Sequence, residues 1–303
     1  MTVILYNPRA CSDAGTKRTR EWVIAHGEDP ACMKNILEIT DKAAFVESLG
    51  EEDRIILCGG DGTLTRLADA LRFSEVRVPI YLTAVGTGND FLHDLRHDGI
   101  QDDPVLINEY IKDLPVIYVN GEEHVIVNGV GFGIDGFCAE EGDRQRRERR
   151  NKKINYTTIA LSGVFGKYKT RNAFVTVDGV TKRYKKVWLA PTMNGRFYGG
   201  GFMMTPAQER LNAARTVTSA VAHNLGKAKV IRLFLSVFKG THVKHTDVFE
   251  TREGHEVTVR FDTPCALQVD GETFLGVTEY TVRSAPAARA YRERMEQEEL
   301  SRV

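Results

Sequence analysis

The stretch R-I-I-L-C-G-G-D-G-T-L-T-R-L-A-D-A-L, residues 54–71, narrows the choice of fold more than any other. Ile55, Ile56 and Leu57 form a short unbroken apolar run, the pattern of a strand buried on both faces of a parallel sheet. Leu64, Leu67, Ala68 and Leu71 then recur at helical spacing, with Asp61 and Thr63 available as caps. Between them Gly59-Gly60-Asp61-Gly62 turn the chain with almost no side-chain bulk. A strand, a glycine turn and a helix N-terminus together bind anions, because backbone N–H groups point outward and the helix dipole favours negative charge. Asp61 inside that turn would repel a bare phosphate, so a divalent cation between carboxylate and phosphates is the simplest account. The same residues also suit an ordinary βα turn. They lack both the Gly-Lys-Ser/Thr of a P-loop and the G-x-G-x-x-G spacing of a dinucleotide site.

A second loop of the same kind follows. Residues 79–85 read as another apolar strand, ending in Gly86-Thr87-Gly88-Asn89-Asp90-Phe91. Two neighbouring strands then deliver glycine loops, each with one Asp, to the carboxyl edge of one sheet, where open α/β sheets bind ligands. With Asn7-Pro8 after the first strand, Asn194-Gly195-Arg196-Phe197-Tyr198-Gly199-Gly200-Gly201 mid-chain and Asp270-Gly271-Glu272 near the end, these residues resemble the catalytic domain of the diacylglycerol kinases, sphingosine kinases and related bacterial lipid kinases. The resemblance spans nearly the whole chain. It implies ATP and Mg²⁺ as cofactors and a lipid alcohol as acceptor. Asp61 and Asp90 are then the magnesium-facing acids, and Glu272 aligns with the proposed general base. Asn7, Pro8, Arg9, Lys17, Gly59, Gly60, Asp61, Gly62, Thr63, Gly86, Thr87, Gly88 and Asn89 are expected to line the nucleotide. Val-Asp-Gly-Glu at 269–272 is equally the pattern of a hairpin turn, as Val177-Asp178-Gly179-Val180 is elsewhere.

The strand–helix alternation up to residue 117 predicts a doubly wound, mostly parallel α/β domain. It includes a helix over about 16–26, a strand over 33–39 and a helix over 41–49. From 118 to 284 alternating β segments take over, and the expectation is a mainly antiparallel β-sandwich that receives the lipid. The glycines of 128–136 suit either close packing or a lipid entrance. Residues 285–303 read as a charged helix that the resemblance would pack back on the first domain.

Charge and composition exclude several classes. Lys+Arg and Asp+Glu are equal at 41 each, which disfavours a nucleic-acid binder. No apolar stretch is long enough to span a bilayer, and five scattered cysteines without a C-x-x-C pair fit a reduced, cytoplasmic protein. The basic run from Arg144 to Lys153 reads as a solvated helix face or as a patch for peripheral contact with an anionic membrane surface. The segment from Lys227 to Lys239 carries an apolar stripe, best explained by core packing. A homodimer is compatible with the sequence.

One departure stands out. Relatives commonly carry an acidic D-G-x-L-D stretch that helps hold a structural Mg²⁺, whereas Glu209-Arg210-Leu211-Asn212-Ala213-Ala214-Arg215-Thr216 stands here, and no structural metal is expected. Besides an ATP-dependent lipid kinase, two readings stay open: a nucleotide-binding regulator without turnover, and a kinase of a soluble substrate such as NAD.

Overall fold

Continuous apolar runs become the central strands of the first unit because both faces of that sheet are covered. β1 (Thr2–Tyr6), β3 (Arg54–Gly59) and β4 (Ile80–Ala84) lie side by side and parallel; Ile4, Ile55, Ile56, Leu57 and Ile80 are buried. β2 (Met33–Asn35) joins β1 in parallel and β5 (Val105–Leu106) joins β4 antiparallel, giving the order β2-β1-β3-β4-β5. The connecting helices are α1 (Ala10–Asp13), α2 (Gly15–Ala25), α3 (Lys42–Glu47), α4 (Asp61–Ala70), α5 (Asp90–His97) and α6 (Asn108–Ile111). The computed structural model describes residues 1–86, 88–148 and 156–300.

The strand expected over 33–39 stops at Asn35. Its Oδ1 accepts from Leu37 N at 3.0 Å and its Nδ2 donates to Glu38 Oε1 at 2.9 Å. This local bonding turns the backbone into a 3₁₀ turn, Ile36–Glu38, in competition with the sheet.

The second unit spans Pro115–Val303, the first Met1–Leu114. Its strands are β6 (Val116–Val119), β7 (Glu122–Val125), β8 (Gly129–Gly133), β9 (Arg171–Val177), β10 (Val180–Met193), the short pair β11 (Phe197–Tyr198) and β12 (Phe202–Met203), β13 (Val217–His223), β14 (Phe249–Gly254), β15 (Glu256–Val269) and β16 (Glu272–Arg283). All of its strand pairings are antiparallel among the described residues. Helices α7 (Ile134–Glu148), α8 (Tyr156–Ser162), α9 (Lys227–Val237) and α10 (Ala285–Leu300) complete the unit.

β10 and β15 are long strands that each break register partway, between Tyr184 and Val187 and between Arg260 and Cys265. The first part of each pairs with β9 and its last residues pair with β8, so the sheet bends over a core containing Phe132, Val175, Leu267 and Tyr280. The two predicted β segments at 255–261 and 266–269 are thus one bent strand. Three two-residue hairpins, Asn120-Gly121, Asp178-Gly179 and Asp270-Gly271, have positive φ at both positions, as a type I′ turn requires.

The helix α9 buries Val230, Leu233 and Val237, in line with the packing role expected for its stripe. The closing helix α10 packs within the second unit: the Tyr291 ring lies 5.4 Å from that of Tyr118, and Arg292 is 3.7 Å from Glu123. In α7 Arg144 pairs with Glu141 and Glu148 at 2.6 Å each, a helix surface laced by its own ion pairs. The last five residues of that basic run, Arg149, Arg150, Asn151, Lys152 and Lys153, lie outside the described residues.

The glycines of 128–136 allow close packing. A Cβ on Gly136 would sit 1.8 Å from Ala266 O, and one on Gly133, at φ +106°, would sit 2.4 Å from Trp188 O. Gly136→Ala therefore forces α7 away from β15 and is expected to destabilise the second unit by about 1–3 kcal/mol or more. Chemical denaturation followed by circular dichroism will read the loss.

Candidate active site

In the first unit the site is built from backbone before side chains. The strand order reverses direction between β1 and β3, and the loops leaving β1, β3 and β4 emerge at one carboxyl edge. That is the switch point at which open α/β sheets bind ligands. The loops interlock. Asp61 N donates to Gly88 O at 2.8 Å, and Val85 N and Gly86 N both donate to Gly59 O, at 3.2 and 3.3 Å. A Cβ on Gly60 would stand 2.4 Å from Gly88 O, and one on Gly86 2.9 Å from Gly60. Side chains would push the two loops apart.

Asp61 then locks them. Its Oδ2 accepts from Asp90 N at 2.8 Å and its Oδ1 from Phe91 N at 3.2 Å, so the carboxylate of one loop caps the helix that follows the other. Asp90 itself is buried. Asn89 holds its own loop through Nδ2 to Gly86 O at 3.0 Å. On the other side, Asn7 Nδ2 donates to the Thr63 hydroxyl at 3.4 Å, while Asn7 Oδ1 accepts from Arg9 N at 3.0 Å. Gly15 lets α2 approach Asn7, since a Cβ there would lie 2.0 Å from Asn7 O. Pro8 follows in the same loop; Gly62 is exposed with open space where its Cβ would be.

Asn7, Gly59, Gly60, Asp61, Thr63, Gly86, Gly88, Asn89 and Asp90 are thus brought together. Lys17 is a solvent-facing residue of α2, 3.9 Å from Glu21, and Arg9 is exposed. Thr87 lies outside the described residues. A link absent from the sequence reading is Cys11, whose thiol donates to Val85 O at 2.8 Å and ties the first loop to the end of β4.

No group of three or more His, Cys, Asp or Glu side chains is placed to hold a metal ion among the described residues. With Asp61 engaged by two amides and Asp90 buried, these residues suit a magnesium carried in on nucleotide phosphates and its own waters, not a resident metal.

In the second unit Asp270 and Glu272 part company. Asp270 accepts from Val127 N at 2.6 Å, Asn128 N at 2.8 Å and Gly129 N at 2.9 Å, and its own amide donates to Gly129 O at 3.0 Å. Asp178 does the same at its turn, accepting from His255 N at 2.9 Å and Glu256 N at 2.8 Å. These acids are clamps. Glu272, one residue beyond the Asp270-Gly271 turn and paired across the hairpin with Val269, is exposed.

Two further residues escaped the sequence reading. Arg210 is a buried guanidinium inside the stretch that departs from the acidic pattern. Asp135, in the first turn of α7, has its Oδ2 shielded from solvent without a hydrogen-bond partner, in the room left by Gly131. Burial pushes its carboxyl up to about 7, partly offset by the Tyr198 hydroxyl beside it.

Two family models cover most of this chain: the diacylglycerol kinase catalytic domain over residues 1–116, and the YegS C-terminal NAD kinase beta sandwich-like domain over 128–290. The chain belongs to the diacylglycerol kinase/YegS family. A diacylglycerol kinase of Mycobacterium tuberculosis (strain H37Rv) is 23% identical over 207 residues, 66% of this chain, and the match spans 64% of that relative's length. A diacylglycerol kinase of Bacillus subtilis (strain 168) is 33% identical over 92 residues, 29% of this chain and 30% of the relative. A crystal structure of a diacylglycerol kinase from Bacillus anthracis str. Sterne shares the fold, with 19% identity, 94% of each chain covered and a TM-score of 0.62. Family membership agrees with the two-domain fold and with a kinase scaffold.

Two outcomes follow. Asp61→Ala removes the acceptor for two helix amides and is expected to cost about 0.5–2 kcal/mol of stability in the first unit, which urea titration will read. For Asp135, a folded pKa of about 7 against an ordinary 3.8 means that the folded state keeps a proton the unfolded chain releases. Stability is thus fully present below about 4 and declines as pH rises through about 7. Asp135→Asn should flatten that decline in melting curves taken across the range.

Proposed function

We propose that this protein is an ATP-dependent lipid kinase that transfers the γ-phosphoryl group to the hydroxyl of diacylglycerol or a related long-chain lipid alcohol. The observation that carries the reading is the interlocked pair of glycine loops, 59–63 and 86–90, at the switch point of a sheet in the diacylglycerol kinase family.

Phosphoryl transfer demands positioning and charge neutralisation more than covalent chemistry. The N-terminus of α4 has no side-chain cap and starts from Gly60, which suits a phosphate approached by backbone N–H groups. MgATP is the incoming substrate, its metal already on the phosphates; Asp61 and Asp90 set the loops and contribute negative charge toward that ion's waters. Asn7 and Thr63 hold the rim, with Arg9 and Lys17 reaching toward phosphate from outside. Glu272 takes the proton of the acceptor hydroxyl as its oxygen attacks the γ-phosphorus and ADP leaves. Such a base contributes typically about 10²–10⁴-fold.

The acceptor lies in a membrane, and no helix among the described residues is long and apolar enough to cross one. Peripheral contact with an anionic surface, through basic residues such as Arg146, Arg147 and those that follow, fits that need.

Incubation with labelled ATP and a total lipid extract should yield a labelled phospholipid, and Glu272→Gln should lower the rate by about 10²-fold or more with an unchanged melting curve. Transfer at the parental rate by Glu272→Gln would remove the assigned base. ATP binding without any product would favour the regulator reading, and product formed only from NAD would favour the soluble-substrate kinase.

A further inference from the structure

The loop 209–216 has a cation at its heart. Arg210 is 6% exposed, a burial that a guanidinium tolerates only with its charge matched. Its Nη1 donates to Val127 O and its Nη2 to Asn128 Oδ1, both at 2.6 Å. The amides of that segment bind the Asp270 carboxylate, so residues 127–129 lie between a buried guanidinium and a half-buried residue's carboxylate. Burial raises the Asp270 carboxyl, and its three amide donors together with the Arg210 charge oppose the rise. Asn194 adds a third tie, donating through Nδ2 to Val127 O at 3.1 Å and through its amide to Asn128 O at 2.9 Å.

The loop is shaped to present this one side chain. Gln208 donates to Thr216 O at 3.1 Å and accepts from the Thr218 hydroxyl at 2.6 Å, closing the base of the loop. Asn212 turns its Oδ1 inward to Thr216 N at 3.0 Å. A carbonyl oxygen, an amide oxygen and a nearby carboxylate are the surroundings a hard cation seeks, yet a guanidinium already fills them. The residues here do not fit a divalent ion.

We propose that Arg210 is a built-in cation, replacing a metal ion as the positive charge that binds the 209–216 loop to segment 127–129 and offsets Asp270. It is a positioning residue. By fixing the segment that Asp270 grips, it fixes the Asp270-Gly271 turn and the Glu272 that follows. This last link rests on the role given to Glu272 above; the built-in cation does not.

Nucleotide-free wild-type protein melted in EDTA and in millimolar Mg²⁺ tests the first part without any variant. The same melting temperature is expected. A rise of several degrees with Mg²⁺ that persists in Asp61→Asn, matched by saturable Mn²⁺ binding in electron paramagnetic resonance, would overturn the proposal. Arg210→Met is expected to lower the melting temperature by roughly 5–10 °C, and Arg210→Lys, which keeps the charge, to recover at least half of that loss. Equal losses in both variants would reduce Arg210 to shape and overturn the charge argument. In steady-state kinetics Arg210→Lys should lower kcat with KM for ATP unchanged. If Glu272→Gln is fully active while the melting pattern holds, the catalytic reading fails and the built-in cation stands.

Discussion

Backbone touching backbone is the constraint from which the first unit's site follows. Where Gly60 meets Gly86 and Gly88, a single added carbon would stand 2.4–2.9 Å from main-chain atoms. Gly60 and Gly86 are there for distance: neither needs a positive φ. Because the loops meet, Asp61 reaches the first amides of α5, and its carboxylate becomes the bolt between two βα units. Asn7 and Thr63 extend the contact to the third loop. The edge is therefore held rigid by the same groups proposed to face the nucleotide, and rigid placement is what phosphoryl transfer asks of a protein.

The second unit solves a different problem with similar means. Antiparallel strands joined by Asx-Gly turns leave neighbouring segments with amides to satisfy, and the turn acids Asp178 and Asp270 satisfy them. An ionised carboxylate accepting two or three N–H groups is a strong, directional clamp. At Asp270 the arrangement continues inward to Arg210 and Asn194, forming a buried polar network whose charges offset each other. Asp135 is the contrasting case, a carboxylate with one shielded oxygen, and its acidity is shifted accordingly.

Local patterns were legible where local physics decides. The apolar runs at 55–57 and 80–84, the helical spacing after Asp61, and the Asp-Gly turns each specify an element by themselves, and the structure contains all of them. The strand at 33–39 failed because apolar composition is blind to Asn35 bonding its own backbone. The two β segments at 255–269 merged because a bulge, not a turn, lies between them. The glycines of 128–136 were ambiguous between packing and an opening until their neighbours, Trp188 and Ala266, were known. Cys11, Asp135 and Arg210 gave no periodic signal; for Arg210 the one clue was the missing acidic stretch, which spoke of an absent metal and was silent about what stood in its place.

By itself the sequence determined the order of elements, the two glycine loops on adjacent strands and the family they mark, since hydrophobic period and turn chemistry act over a few residues. The tertiary structure alone decided what the acids do. Asp61 caps a helix 29 positions away and Asp270 grips amides more than 140 positions upstream, contacts that arise only when distant segments pack. A carboxylate's role depends on which donors and charges surround it, and those neighbours are chosen by the fold.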